Sequence, residues 1–276
     1  MEGIIIKNIS NDYTVKTPKG LYTCKARGKF RKDNIVPLVG DYVVFDEIDK
    51  YILDIKKRKN SLIRPSVVNV DQALIVTSVK PSFDKVLLDK LLTIISFNNI
   101  TPIICFTKLD LLEEEERPKI DKYIKYYKKI GYQVVTNENK NIFKNIFSDK
   151  ITVLTGQSGA GKSTLINMLD KTLELKTNEI SKALGRGKHT TRHVELFEIM
   201  NGFVVDTPGF SSIDFHDMKP SDIRDNMNEM FDNLQNCKYR DCMHINEDGC
   251  AVKQKVETEE ILLSRYNNYK SFIKRS

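Results

Sequence analysis

Residues 156–164 limit most tightly what this 276-residue chain can fold into. Gly156, Gln157, Ser158, Gly159, Ala160, Gly161, Lys162, Ser163 and Thr164 make a complete G-x-x-x-x-G-K-S/T phosphate loop. The run Ile151-Thr152-Val153-Leu154-Thr155 before it reads as a strand, and Leu165-Ile166-Asn167-Met168-Leu169 after it as a helix. That strand–loop–helix context is what the motif requires, whereas a glycine-rich turn without a ligand has no need of it. The glycines let consecutive backbone N–H groups curl around an anion at a helix N-terminus. Lys162 is expected to reach the β and γ phosphates and Ser163 to ligate Mg²⁺. The expected ligand is a nucleoside phosphate.

A second motif lies upstream of the first. Thr107-Lys108-Leu109-Asp110 follows Thr101-Pro102-Ile103-Ile104-Cys105-Phe106, an apolar run expected to be a buried parallel strand. A carboxylate at such a strand end can accept from both N1–H and the exocyclic amine of guanine. Adenine has an acceptor at N1 and nothing at C2, so it would leave Asp110 unpaired and desolvated. The stem of Lys108 can lie along the purine face. Alone, T-K-x-D also fits a solvated helix entry; beside a phosphate loop it reads as guanine recognition.

Downstream, Asp206-Thr207-Pro208-Gly209 follows the apolar Phe203-Val204-Val205. In this D-x-x-G pattern Asp206 is expected to hold Mg²⁺ through water and the Gly209 N–H to sense the γ-phosphate. Between them runs Gly185-Arg186-Gly187-Lys188-His189-Thr190-Thr191-Arg192, a polar segment suited to a switch. A threonine hydroxyl there, Thr190 or Thr191, would complete the Mg²⁺ shell. The order is base, phosphate loop, first switch, second switch, whereas small GTPases have the base-reading element last. The chain reads as a circular permutation, which close termini make tolerable.

This motif order, with the wordings G-Q-S-G-A-G-K-S-T, D-T-P-G-F and G-R-G-K-H-T-T, resembles the ribosome small-subunit-dependent GTPase A family of bacteria. A basic N-terminal segment and a C-terminal Cys/His cluster extend the likeness over nearly the whole chain. The resemblance implies a cytoplasmic GTPase that binds the small ribosomal subunit late in assembly and is activated by it. It also implies an N-terminal OB-fold, a central permuted α/β GTPase domain and a zinc-bearing C-terminal domain. The expected divisions are residues 1–62, 63–215 and 216–276.

Composition agrees in blunter terms. There are 44 Lys and Arg against 37 Asp and Glu, a net charge of +7. Residues 1–60 carry 13 basic and 8 acidic groups, residues 61–215 carry 21 and 18, and residues 216–276 carry 10 and 11. The positive excess is densest at the N-terminus, where a phosphate backbone is the expected partner; a Lys-rich solvated surface accounts for part of it. No apolar run has the length of a membrane span and the N-terminus opens no secretory signal. The expectation is a soluble, cytoplasmic monomer that binds GTP or GDP, rRNA and no membrane.

The short β-type runs Ile4-Ile5-Ile6, Leu21–Ala26, Val43-Val44-Phe45 and Tyr51–Ile55 are separated by turn signals. They suit a small barrel, and the resemblance makes it an OB-fold. Arg27, Lys29, Arg31 and Lys32 surround Phe30, as on an RNA-facing surface; Phe30 fits core or stacking platform equally. From Val70 the rhythm becomes strand–helix alternation. Ala73–Thr77 is expected as a strand, and Val86, Leu87, Lys90, Leu91, Ile94 and Ile95 are spaced for a helix capped by Asp84. A charged helix is expected from Glu113 to Ile130, and a strand at Gln133-Val134-Val135. Thr136-Asn137 stands where the family usually has Ser-Ala, its fifth guanine-contacting loop. The alternation means an α/β doubly wound sheet.

Beyond Asp214 one helix is expected, capped by Ser221 and carrying Ile223, Met227, Met230, Phe231 and Leu234 on one face. Cys237, Cys242, His244 and Cys250 follow, four soft or borderline ligands within fourteen residues. They point to one tetrahedral, structural Zn²⁺, with disulfides disfavoured in a reducing compartment. Leu262, Tyr266, Tyr269 and Ile273 make the seam of a last helix, and Cys24 and Cys105 are expected in the core.

GTP hydrolysis requires an in-line water, charge neutralisation by Mg²⁺ and Lys162, and a group that orients the water. Phe210 follows the D-x-x-G glycine, where many GTPases have glutamine, so slow intrinsic turnover is expected. His189 is the candidate for orienting water once a partner orders the segment; a solvent-exposed loop histidine is the alternative. Gly159 stands where potassium-activated GTPases place an asparagine. Two other readings are an RNA-binding chaperone that holds GTP structurally and an ATP-using P-loop kinase; Asp110 and D-T-P-G weigh against the second.

Overall fold

The structure, a computed structural model, describes residues 1–32, 35–62, 66–170, 194–206, 214–215 and 217–275. It divides into two compact units. The first comprises Met1–Ala73, Asn139–Thr155 and Lys162–Phe210, the second Leu74–Glu138, Gly156–Gly161 and Ser211–Ser276.

In the first unit, five strands close into a barrel ordered β1-β2-β3-β5-β4: β1 (Glu2–Ile9), β2 (Asp12–Thr17), β3 (Gly20–Ala26), β4 (Tyr42–Phe45) and β5 (Tyr51–Ile55). Only the β3–β5 pair is parallel. This is the expected OB-type barrel. Ser10 and Asn11 both have positive φ, 51° and 68°, and form the two-residue turn whose twist matches the flanking strands. Inward alternation buries Ile5, Tyr13, Val15, Cys24, Val43, Phe45 and Ile52. Helix α1 (Gly28–Lys32) follows β3.

The barrel leads into the hairpin β6 (Ser61–Leu62) and β7 (Val67–Val68). Gly40 has φ 93°, and a Cβ there would lie 2.2 Å from the Val68 carbonyl oxygen, so only glycine fits. The Arg58 guanidinium grips both oxygens of the buried Asp41 at 2.8 and 2.7 Å. The Leu38 N–H also donates to that carboxylate, so the buried charge is fully partnered.

The same unit holds α4 (Asn141–Phe147), most of β11 (Ile151–Gly156), α5 (Lys162–Leu169), β12 (Phe197–Ile199) and β13 (Gly202–Asp206). β11 and β13 pair in parallel from Ile151↔Phe203 to Leu154↔Asp206, with β12 antiparallel on the far side of β13. A Cβ on Gly202 would lie 1.8 Å from the Phe147 carbonyl oxygen, which reserves that position for glycine. The segment entering β12 is fastened to the barrel. Leu196 N–H donates to Ile6 O at 2.8 Å, Lys7 pairs with Glu195 at 2.8 Å, and Lys16 pairs with Glu198.

The second unit carries β8 (Gln72–Ser78) from Leu74 onward, α2 (Lys85–Phe97), β9 (Thr101–Thr107), α3 (Arg117–Lys129) and β10 (Gln133–Thr136). β9 lies between β8 and β10 and pairs with β10 in parallel. β8 is buried throughout and β9 from Ile103 onward, as expected of continuous apolar runs. Asp84 Oδ1 accepts the Leu87 N–H at 2.9 Å, the expected cap of α2. α3 starts later than the charge pattern suggests. Pro118 occupies its first turn, and Glu113–Glu116 form the preceding turn, where Glu116 accepts the Glu113 N–H and pairs with Lys80.

The C-terminal part holds α6 (Pro220–Asp225), α7 (Asn228–Asp232), α8 (Ala251–Glu257) and α9 (Leu263–Ile273). The single helix expected around Ser221 is thus two. The Asn226 side chain donates to the Asp222 carbonyl at 2.8 Å, and Met227 is extended, so local side-chain bonding stops the first helix. Lys219, not Ser221, is the N-cap. Ile223, Met227 and Met230 are buried as expected, but Phe231 is exposed. In α9, Tyr266, Tyr269 and Phe272 face the core. Among the described residues, no helix is long and apolar enough to cross a membrane.

Candidate nucleotide site and metal centre

In the second unit the turn expected to read the base is built by a backbone reversal. β9 ends at the buried Thr107, and Lys108 takes a left-handed conformation (φ 60°, ψ 31°) that turns the chain into a 3-10 turn, Leu109–Leu111. Leu109 is buried beneath this turn while Asp110 is exposed at the carboxyl end of β9. The Thr107 hydroxyl donates to the Ala160 carbonyl at 2.6 Å, which joins this turn to the phosphate loop. The Asn137 N–H donates to Phe106 O at 3.2 Å, which puts the Thr136-Asn137 pair beside the same strand end.

The loop itself needs its glycines for two reasons. Gly156 has φ 125°, and a Cβ there would lie 2.0 Å from the Val76 carbonyl oxygen of β8. Gly159 and Gly161 also have positive φ, 73° and 93°, but open space around them. There the constraint is conformational, since both residues sit at positive φ, which L side chains rarely adopt. Between them Ala160 is fully buried, with its N–H on Gln157 O.

Lys162 follows Gly161 and opens α5 in the first unit, with Ser163 and Thr164 exposed in its first turn. Asp206 ends β13, level with Leu154 of β11. A hydroxyl at a helix start and an aspartate at a neighbouring strand end are hard oxygen donors, the chemistry Mg²⁺ takes. His189, Thr190, Thr191 and Gly209, expected in the switches, lie outside the described residues.

The candidate metal centre is assembled in the second unit. One ligand atom each from Cys237, Cys242, His244 and Cys250 lies within 4.8 Å of all the others. His244 Nδ1 stands 3.6 Å from Cys237 Sγ and 3.4 Å from Cys250 Sγ. A tetrahedral zinc with ordinary Zn–S and Zn–N bonds requires an S···N edge of about 3.6 Å. The other ring nitrogen, Nε2, is 3.1 Å from the Met230 carbonyl, which accepts its proton and turns Nδ1 towards the sulfurs. His244 reaches this position through a positive φ of 58°. Burial pushes the Cys242 thiol up to about 12 and lowers the His244 imidazole from its ordinary value. A bound cation favours thiolate over thiol and takes the neutral imidazole as it stands. The donor set fits a structural zinc with no open position. All five cysteines are unbridged, and Cys24 and Cys105 are core residues, as expected.

The candidate RNA surface needs one correction. Arg27 and Lys29 are exposed, but Phe30 is buried, with Lys29 Nζ 5.2 Å from its ring centre. Folding Gly28–Lys32 into α1 turns the ring inward, so Phe30 is core and offers no face to a base. Arg31 and Lys32 complete that helix.

One cluster escaped the sequence reading. Arg265 of α9 is buried and donates to Asp89 of α2 at 2.7 Å and to both oxygens of Glu229 of α7 at 2.6 and 3.2 Å. Tyr127, Asn268 and Tyr126 supply the remaining hydrogen bonds to the two carboxylates. The three charged residues lie far apart in sequence and match no motif, so nothing local announces them.

A T-K-x-D turn ahead of a G-x-x-x-x-G-K-S-T loop, a barrel before both and a Cys₃His cluster after them define the architecture of a circularly permuted P-loop GTPase. Comparison with known proteins agrees. The RsgA GTPase family model matches residues 55–216 and the RsgA N-terminal domain residues 2–51. The chain belongs to the RsgA GTPase family. Similar relatives include small ribosomal subunit biogenesis GTPase RsgA 2 of Oceanobacillus iheyensis, 49% identical across 99% of this chain and 96% of that one. RsgA 1 of Listeria monocytogenes is 51% identical across 98% and 95%. Among solved structures, YloQ, described as a circularly permuted GTPase, superposes with a TM-score of 0.85 at 41% identity, covering 99% of this chain and 94% of that one. YjeQ from Thermotoga maritima gives 0.84 at 32%, covering 99% and 97%. The chain is accordingly a GTP hydrolase.

Proposed function

We propose that this GTPase serves small ribosomal subunit biogenesis, as the named relatives do, docking on the subunit late in its maturation and being stimulated there. The bond from Thr107 to Ala160 carries the nucleotide part of the reading, because it links guanine recognition to phosphate binding. Asp110 reads the N1–H and amine edge of guanine, with Lys108 along the purine. The backbone of residues 156–161 cradles the phosphates, Lys162 neutralises the β–γ bridge, and Thr164 extends the cradle. Ser163, Asp206 and Thr191 would hold Mg²⁺, which supplies charge neutralisation as the β–γ bond breaks. His189, with Thr190 beside it, orients the attacking water, and Gly209 senses the γ-phosphate. Slow turnover without a partner follows from Phe210, which can neither donate nor accept a hydrogen bond.

The barrel, residues 1–62, contributes the rRNA contact through Arg27, Lys29, Arg31 and Lys32. Residues 63–215 form the GTPase domain, and residues 216–276 carry one structural Zn²⁺. The protein acts as a cytoplasmic monomer. The deciding measurement is GTP hydrolysis with small subunits, with large subunits and with neither. Stimulation by small subunits alone is expected; equal rates in all three would refute the reading.

A further inference from the structure

The candidate ligand His244 has its backbone in the left-handed region, at φ 58°. That conformation is disfavoured for any side chain with a Cβ, so local contacts must hold it. Glu247, three residues on, supplies them from one carboxylate. Its Oε1 accepts the Met243 N–H at 2.6 Å, and its Oε2 accepts the Ile245 and Asn246 N–H groups at 2.8 and 3.0 Å. The N–H that this carboxylate leaves out, that of His244, bonds the Cys242 sulfur instead. Burial opposes the ionisation of Glu247, but the main-chain donors more than offset it and hold the carboxyl below the usual carboxylate range.

The carbonyls of the same stretch are held by α9. Tyr269 donates its hydroxyl to the Met243 carbonyl at 2.6 Å, and Tyr266 donates to the His244 carbonyl at 2.7 Å. Both tyrosines are buried. The two peptide groups that flank His244 are therefore partnered at both ends. In the first, the Met243 carbonyl meets Tyr269 and the His244 N–H meets Cys242. In the second, the His244 carbonyl meets Tyr266 and the Ile245 N–H meets Glu247. With Nε2 on the Met230 carbonyl, the imidazole keeps Nδ1 for a metal.

We propose that Glu247 is a positioning residue for the zinc centre: its carboxylate closes the Met243–Glu247 loop in the conformation that brings His244 Nδ1 to the cysteine sulfurs. Tyr266 and Tyr269 complete the clamp. This rests on the reading of Cys237, Cys242, His244 and Cys250 as a zinc site. The charge type matters as well as the length. Three N–H donors fall on two oxygens, so both oxygens must accept. Glutamine has the same reach but one acceptor, and its NH₂ would face a main-chain N–H.

The test compares Glu247→Gln, Asp248→Asn and the double variant Tyr266→Phe with Tyr269→Phe in the full-length chain. Zinc affinity is read by competition with a chromophoric chelator. The visible spectrum of the Co²⁺-loaded protein reports the ligand set and its geometry. Glu247→Gln should bind zinc roughly ten- to a hundredfold more weakly, with a changed Co²⁺ spectrum as His244 leaves the metal. The tyrosine variant should move both readouts in the same direction. Asp248→Asn removes the same charge from an exposed side chain one residue on, and should keep both at the parental level. GDP affinity should be parental in every variant. If Glu247→Gln does not fold, the tyrosine variant, which keeps both rings, decides in its place. Parental zinc affinity and Co²⁺ spectrum in the deciding variant would overturn the proposal. So would weaker zinc binding with an unchanged spectrum, which would make the loop a general support, or an equal loss in Asp248→Asn, which would make charge alone responsible. A parental chain that takes up neither zinc nor Co²⁺ would instead overturn the zinc reading itself, before any variant is compared.

Discussion

The Thr107 hydroxyl stands 2.6 Å from the Ala160 carbonyl and donates to it, across 53 residues of sequence. One partner ends the base-reading strand and the other lies in the phosphate loop. The base-reading motif comes first in the chain, and this bond ties it to the loop that follows. Thr107 also reaches Thr77 O at 3.3 Å, so the hydroxyl bridges β8 as well.

Thr107→Val should therefore weaken GDP and GTP alike. It leaves the Ala160 carbonyl without its donor, a penalty of about 1–3 kcal/mol, or roughly five- to 150-fold in affinity. Thr107→Ser should bind as the parent does. Calorimetric titration of GDP against the three proteins checks this; equal affinities would make the bond incidental.

Replacing Asp110 with Asn presents an amide donor where xanthine offers a carbonyl. Preference should move from GTP towards XTP, read by competition for a fluorescent nucleotide. Parental preference would reduce Thr107–Asp110 to a turn at the head of the 3-10 segment.

The sequence made these motifs legible because each demands a particular residue for a local reason. Gly156 must be glycine against Val76 O, Asp84 must accept a free helix N–H, and β8 must be apolar where it is buried. Features resting on tertiary choice were not legible. Phe30 is equally plausible inside or outside a short amphipathic turn until α1 forms. The break at Met227 depends on whether Asn226 bonds the backbone or solvent. Arg265, Asp89 and Glu229 each look like surface charges until their distant partners are in place.

Zinc should be present at about one ion per chain and resist mild chelation while the protein is folded. Its retention should depend on pH in one direction. Burial raises the Cys242 thiol, so protons compete with the metal as pH falls, and zinc should be lost on acidification and held at alkaline pH. Elemental analysis after dialysis across a pH series checks both points. Cys242→Ala should make the C-terminal region protease-sensitive; unchanged resistance would sink a structural role.

Attachment of the barrel to the segment entering β12 changes how its proposed RNA contact must be tested. Removing residues 1–62 would strip Ile6 O and Lys7 from Leu196 and Glu195, so truncation mixes lost RNA contact with a damaged strand edge. Charge reversal avoids this. Arg27→Glu with Lys29→Glu touches two exposed side chains. Small-subunit binding should weaken and its dependence on salt should flatten, because fewer counterions are released. GTP binding should stay at the parental level. His189→Ala should do the reverse, keeping subunit affinity and lowering the stimulated rate alone. If charge reversal spares docking, the rRNA contact belongs to another part of the chain. If His189→Ala spares stimulated turnover, the ribosome itself supplies the group that orients the water.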